Sequence, residues 1–182
     1  MGAGTGGMIS GVASCLPEGA KIVLADPPGS SLFSRVRHGV AFSTEQKERG
    51  IRLHRYDTIA EGIGLDRLTR NFRFGEKRIG GAVRVMDQEA IYMAHWLLKT
   101  EGFFIGSSSA VNLVAAVRTA MSLPEGSVVV TVLCDSGQRH VSRFWNEDFI
   151  REWADGALHW PTAAQVDAFM SGLAGQGGAA QT

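Results

Sequence analysis

A three-layer α/β fold with a mainly parallel sheet is predicted from three features of this 182-residue sequence. Short apolar runs alternate with helical patterns. The apolar runs are continuous, as strands buried on both faces read. The helices open on glycine- or serine-rich turns. The first turn is Gly2-Ala3-Gly4-Thr5-Gly6-Gly7-Met8-Ile9-Ser10-Gly11, leading into a helix over residues 8–15. Residues 21–26 (KIVLAD), bounded by Gly19 and Pro27-Pro28, form the first strand. A helix over 43–49 follows, with Ser43 or Thr44 as its cap, and then a short strand over 82–85. Asp87 is the expected cap of a helix over 88–100, with Ile91, Ala94, Trp96 and Leu98 on its apolar side and Gly102 as its stop. A brief strand at 103–105, a helix over 107–121 and a β-branched strand over 127–134 complete the alternation. A helix over 146–154 precedes a tail, from Ser171, of disorder-like composition. Residues 1–155 thus read as one domain-forming part and 156–182 as a partly disordered extension, with no internal repeat.

Composition narrows the function classes. Hydrophobic residues make up 45% and charged residues 20%, enough apolar material for a core. The net charge of +0 gives no global attraction to nucleic acid or an anionic membrane. The basic stretch from Arg35 to Arg55 has few aromatics and reads as a solvated face. The longest apolar run, 128–134, is too short to span a bilayer. Cys15 and Cys134 have no metal or disulfide spacing and read as buried small residues in a reducing compartment. The five histidines show no paired metal spacing, so no metal is expected. Trp145, Trp153 and Trp160 read as packing anchors.

The loops carry the chemistry. A glycine loop opening a helix holds a phosphate on backbone N–H groups, aided by the helix dipole. No strand stands before this one, so the chain reads as the later part of something larger. Gly2, Gly4 and Gly7 also fit G-x-G-x-x-G, and Asp26 falls where a ribose-binding acid would, so a nicotinamide-dinucleotide domain stays open. A Walker loop does not, because no Lys-Ser/Thr pair follows Gly7. Ser107, Ser108 and Ser109 place three hydroxyls at a helix start where one suffices to cap, so they read either as a cap or as a ligand loop. Asp135 and Ser136 follow a strand, where a turn or a ligand loop belongs, and Gly62 and Gly64 would let backbone approach a flat ligand.

Together, Gly4-Thr5-Gly6-Gly7, Glu61-Gly62-Ile63-Gly64, Asp87-Gln88-Glu89-Ala90, Glu101-Gly102 with Gly106-Ser107-Ser108-Ser109-Ala110, and Asp135-Ser136-Gly137-Gln138-Arg139-His140 resemble, in order and spacing, the cysteine synthase and cystathionine β-synthase family. These are pyridoxal-phosphate enzymes of the tryptophan-synthase-β fold type (fold type II). The resemblance covers residues 2–150 and corresponds to the C-terminal half of a member. It implies pyridoxal 5′-phosphate as cofactor, with Gly4, Thr5, Gly6, Gly7 and Met8 at its phosphate. Met8 stands where the family has a threonine, which removes one hydroxyl. Ser108 matches the serine at the pyridine nitrogen, a neutral partner that does not hold that nitrogen protonated and so suits β-elimination and β-replacement. Gly62 and Gly64 match the glycine loop near cofactor and substrate, and Asp135 and Ser136 a loop at the pyridine edge.

The implied reaction joins an activated serine such as O-acetylserine to sulfide, giving L-cysteine. The alternatives are cystathionine β-synthase chemistry, a non-catalytic truncated homologue, and the dinucleotide domain. The family's Schiff-base lysine has no match among Lys21, Lys47, Lys77 and Lys99, so this chain alone is expected to be inactive. The resemblance further implies an amino-acid substrate, homodimeric full-length members, and a cytoplasmic or mitochondrial location. No nucleic-acid partner and no membrane span are expected.

Overall fold

The computed structural model describes residues 1–43 and 58–175. The helix expected over 43–49 falls almost wholly outside them. The chain divides into two compact units, Met1–Arg84 and Val85–Thr182.

The first unit runs α1 (Gly7–Cys15), β1 (Ile22–Asp26), α2 (Leu32–His38), α3 (Arg70–Gly75), a 3₁₀ turn at Glu76–Arg78, and β2 (Ile79–Arg84). The strands pair in parallel, Ile22 opposite Ile79 and Asp26 opposite Arg84, with a register shift between Ile22 and Val23. β2 starts earlier than the sequence suggested, because buried Ile79 pairs across to Ile22 while Gly80 and Gly81 hide the pattern. Gly2 forms a parallel bridge to Ala25, and the Ala25 N–H donates to the Met1 carbonyl at 3.0 Å. Strand-like pairing thus reaches the first residues of the glycine loop, and no named strand precedes α1 among the described residues. The bridge from Gly2 to Ala25 sets the loop beside the C-terminal end of β1, where α/β sheets bind ligands.

Ile9 and Ala13, four apart on α1, pack with Leu24, Leu32, Phe72, Ile79 and Ala82 in one core. Ile9, Leu24 and Phe72 have no exposed surface, and each such side chain contributes about 1.5–3 kcal/mol on burial.

Asp26 ends β1 with no exposed surface, and its Oδ2 accepts the Phe33 N–H at the start of α2 at 2.7 Å. That contact turns the carboxylate inward and removes the acid a ribose would need. Burial pushes its pKa up to about 6 from 3.8, against opposing contributions from Ser30, the Phe33 N–H and the Arg84 guanidinium. A carboxyl raised in the folded state binds more protons there than in the unfolded chain between those two values. The Asp26 contribution to stability is therefore full below about pH 4 and is lost as pH rises through about 6, by about 3 kcal/mol in all. Denaturant unfolding from pH 4 to pH 7 measures this slope, and Asp26→Asn is expected to flatten it.

The second unit contains α4 (Asp87–Glu101), α5 (Ser107–Met121), α6 (Glu147–Glu152) and α7 (Ala163–Gly175), with α4 packed on both α5 and α7. Ala90, Ile91, Met93 and Ala94 of α4 and Ala110, Val111 and Val114 of α5 are buried. The cap of α4 is Met86 rather than Asp87, and Glu89 Oε2 accepts the Met86 N–H at 2.8 Å. Gly102 ends α4 at φ +74°, as its position predicted. α5 matches the expected range. Asn146 caps α6 by accepting the Phe149 N–H.

Four expectations are corrected. Residues 103–105 keep only a bridge from Ile105 to Ser136. Residues 127–134 form no strand, although their β-branched content is high. A strand exists through its ladder, and no described segment pairs with this one; Val128 and Val130 stand 86% and 85% exposed. Cys15 and Cys134 are exposed, one at the last residue of α1 and the other at the end of that unpaired segment. The tail expected from Ser171 is, as far as Gly175, the end of α7, held by buried Leu173. No helix among the described residues is long and apolar enough to cross a membrane.

Candidate functional site

In the first unit the structure brings Gly4–Met8 together with Gly62. Gly6 is the N-cap of α1 at φ +82°, a conformation glycine adopts without strain, and no side chain caps the helix. The first intrahelical bond is Ser10 N–H to the Gly6 carbonyl, 3.1 Å. The N–H groups of Gly7, Met8 and Ile9 precede it, and Thr5, Gly7 and Met8 are exposed. An uncapped helix start with exposed backbone donors carries the partial positive charge an anion seeks.

The loop has its shape because of what lies behind it. A Cβ on Gly6 would come within 2.6 Å of the Phe72 Cα, and a Cβ on Gly4 would run into the Gly62 carbonyl. Thr69 caps α3 by accepting the Phe72 N–H at 3.1 Å, and its hydroxyl donates to the Thr5 carbonyl. Ser10 Oγ donates to the Asn71 carbonyl at 2.6 Å and accepts the Gly75 N–H at 3.1 Å. Thr69, Phe72 and Ser10 thus fix the loop, and none of them stood out in the sequence. The cap position of Thr69 ahead of a helical stretch was the available sign. Gly62 and Gly64 have φ +81° and +87°, and Gly64 lies against Pro27 and Thr58.

In the second unit two loops are laced together. The Gly106 N–H donates to the Asp135 carbonyl and the Gly137 N–H to the Phe104 carbonyl, each at 3.0 Å. Ser109 Oγ accepts the Cys134 N–H at 2.8 Å, and Asn112 donates to the Val132 carbonyl at 2.9 Å. Of the serines that open α5, Ser109 is therefore committed to the fold. The Ser108 hydroxyl makes no hydrogen bond among the described residues. Ser136 is exposed and its hydroxyl caps a 3₁₀ turn at Gly137–His140 by accepting the Gln138 N–H. Asp135 Oδ2 lies 2.9 Å from Nε2 of His140, which is 3% exposed.

The aromatic residues pack rather than line a ligand site. Trp145 donates to the Ile105 carbonyl at 2.8 Å and lies on His95, Phe104 and Phe144. His95 also meets Trp160 at 4.5 Å between ring centroids, and burial pushes its pKa down to about 4. Trp153 packs on Phe149. No group of three or more His, Cys, Asp or Glu residues could hold a metal among the described residues. Lys21 and Lys77 are exposed, Lys99 pairs with Asp167 at 3.7 Å, and Lys47 lies outside the described residues.

A glycine loop beside the C-terminal end of β1, opening an uncapped helix, is the arrangement on which α/β folds receive anions. A family model described as pyridoxal-phosphate dependent enzyme matches residues 1–135, and the chain belongs to that family. It is similar to cysteine synthase 2 of Neurospora crassa, 51% identical over 171 residues, which cover 91% of this chain and 36% of that protein. A Saccharomyces cerevisiae relative with "mitochondrial cysteine synthase" in its name is 53% identical over 150 residues, 80% of this chain and 38% of its own length. Among solved structures, an O-acetylserine-dependent cystathionine β-synthase from Helicobacter pylori superposes with a TM-score of 0.60 at 31% identity, covering 78% of this chain and 41% of that one. The chain thus spans about two fifths or less of the length of these relatives. The α/β class with parallel pairing and the pyridoxal-phosphate family agree with the reading of the sequence.

Proposed function

We propose that this chain supplies the phosphate-holding and ring-nitrogen-holding elements of an enzyme that makes L-cysteine from O-acetylserine and sulfide by β-replacement. The observation that carries it is the start of α1, where αL Gly6 wedged over Phe72 leaves the Gly7, Met8 and Ile9 N–H groups uncapped. These residues fit pyridoxal phosphate, whose dianionic end needs several backbone donors and no side-chain bulk. When bound, the cofactor supplies an electron sink for bond changes at the α and β carbons of an amino acid.

Within the first unit, Gly4, Thr5, Gly6, Gly7 and Met8 hold the phosphate, while Gly62 and Gly64 leave room beside the substrate. Within the second unit, Ser108 offers its uncommitted hydroxyl to the pyridine nitrogen, with Asp135 and Ser136 at the ring edge. The substrate is a small amino acid, and the location is cytoplasmic or mitochondrial. A relative with homocysteine in place of sulfide is the second reading, favoured by the superposition on the Helicobacter pylori enzyme. Assaying O-acetylserine with each acceptor, in the longest form of the protein the organism makes, separates the two.

The purified chain is expected to take up pyridoxal phosphate without fixing it to a lysine. Borohydride treatment followed by mass spectrometry checks this, and stoichiometric labelling of Lys21, Lys47, Lys77 or Lys99 would overturn it. Met8→Thr restores a hydroxyl at the helix start and is expected to tighten phosphate binding by about fivefold, as one added hydrogen bond of about 1 kcal/mol implies. Calorimetric titration with inorganic phosphate measures the change.

A further inference from the structure

We propose that His140 is a positioning residue: through Asp135 it fixes the Gly106 turn and thereby the aim of Ser108. The role at the cofactor rests on the proposed function; the mechanical link stands on the geometry. Gly106 is the N-cap of α5, and Ser108 lies in that helix's first turn. The Asp135 carbonyl accepts the Gly106 N–H at 3.0 Å. Asp135 Oδ1 lies so close to Gly106 that a Cβ there would run into it, and His140 Nε2 would stand 2.7 Å from the same Cβ. The other carboxylate oxygen meets that Nε2 at 2.9 Å.

His140 is itself held. Its carbonyl accepts the Trp145 N–H at 3.0 Å, and the Trp145 indole donates to the Ile105 carbonyl at 2.8 Å. Ile105, Gly106, Asp135, His140 and Trp145 therefore close a ring of contacts around the start of α5. The imidazole is the only partner among the described residues for Asp135 Oδ2, while Oδ1, buried against Gly106, has no hydrogen-bond partner there. Without His140 the carboxylate loses that tether. Its Oδ1, packed against Gly106, is then free to shift with the rest of the carboxylate. That movement shifts the Gly106 turn that carries Ser108.

The test compares wild type, His140→Phe and His140→Gln, the last keeping an N–H donor for Asp135. Two probes are titrated into the full chain, pyridoxal phosphate and inorganic phosphate, and amide hydrogen exchange is read at Gly106. In His140→Phe, Gly106 exchange is expected to quicken at least tenfold and pyridoxal phosphate to bind about tenfold more weakly, with inorganic phosphate unchanged; His140→Gln should restore both. Unchanged Gly106 exchange and unchanged pyridoxal-phosphate affinity in His140→Phe would overturn the proposal. Equal weakening of both probes would overturn it too, as general damage rather than positioning. Failure of the wild-type chain to bind pyridoxal phosphate at all would overturn the cofactor reading and with it this residue's role there.

Discussion

Gly6→Ala is expected to abolish measurable phosphate binding and to destabilise the first unit by about 3 kcal/mol. Two costs add. At φ +82° an L side chain is strained by about 1–2 kcal/mol, because its Cβ crowds the following carbonyl. The new Cβ would also lie 2.6 Å from both the Cα and the Cβ of Phe72 and 2.7 Å from its backbone N. Phe72 has no exposed surface and α3 is bonded to α1 through Ser10, so the helix cannot simply step aside. Relief comes by flattening the turn at Gly6, which swings the Gly7 and Met8 N–H groups away from a common focus. Losing two donors to a charged phosphate costs about 3 kcal/mol, or about a hundredfold in affinity. Thermal unfolding and phosphate titration measure the two effects. Gly39→Ala, at φ +75° with no atom within 4 Å of the new Cβ, is the control and should lose only the backbone cost.

Gly106→Ala is expected to cost about 2–3 kcal/mol by crowding alone. Its backbone, φ −80° and ψ 169°, suits any residue, so no conformational strain enters. The added methyl would instead run into Asp135 Oδ1 and approach His140 Nε2 and Cδ2 to 2.7 and 2.9 Å. The start of α5 must move or the Asp135–His140 contact must open. Pyridoxal phosphate should then bind at least tenfold more weakly while inorganic phosphate binds as before. Gly102→Ala gives the contrast, since nothing lies within 4 Å of its new Cβ and its φ of +74° costs only about 1–2 kcal/mol. Equal losses for both ligands in Gly106→Ala would show that the second unit's turn is not selective for the ring.

What the sequence disclosed and what it hid follow from the range of the forces involved. α1 and α5 were legible because a glycine or serine start and an apolar period are local properties of the chain. β1 was legible because a five-residue apolar strand between Gly19 and Pro27 has few alternatives. Residues 127–134 have the composition of a strand yet pair with no described segment, because a ladder needs a partner that no single segment can announce. The exposure of Cys134 follows from that missing ladder. Asp26 showed only its spacing; that its carboxylate turns inward to Phe33 depends on where α2 begins. At the glycine loop, the glycines were visible, whereas the reason for Gly6, the backbone of Phe72 behind it, comes from a residue sixty-six positions away. The Asp135–His140 contact belongs to the same class: both residues lay in a motif, and their shared purpose appears only against Gly106.

Phosphorus NMR reads whether the Gly4–Met8 turn holds the phosphate of pyridoxal phosphate. The wild-type chain titrated with pyridoxal phosphate should show a saturable shift of the phosphorus resonance that inorganic phosphate reverses and that Gly6→Ala abolishes. A resonance that does not move in the wild-type chain, or that moves equally in Gly6→Ala, would show that this turn does not hold the phosphate.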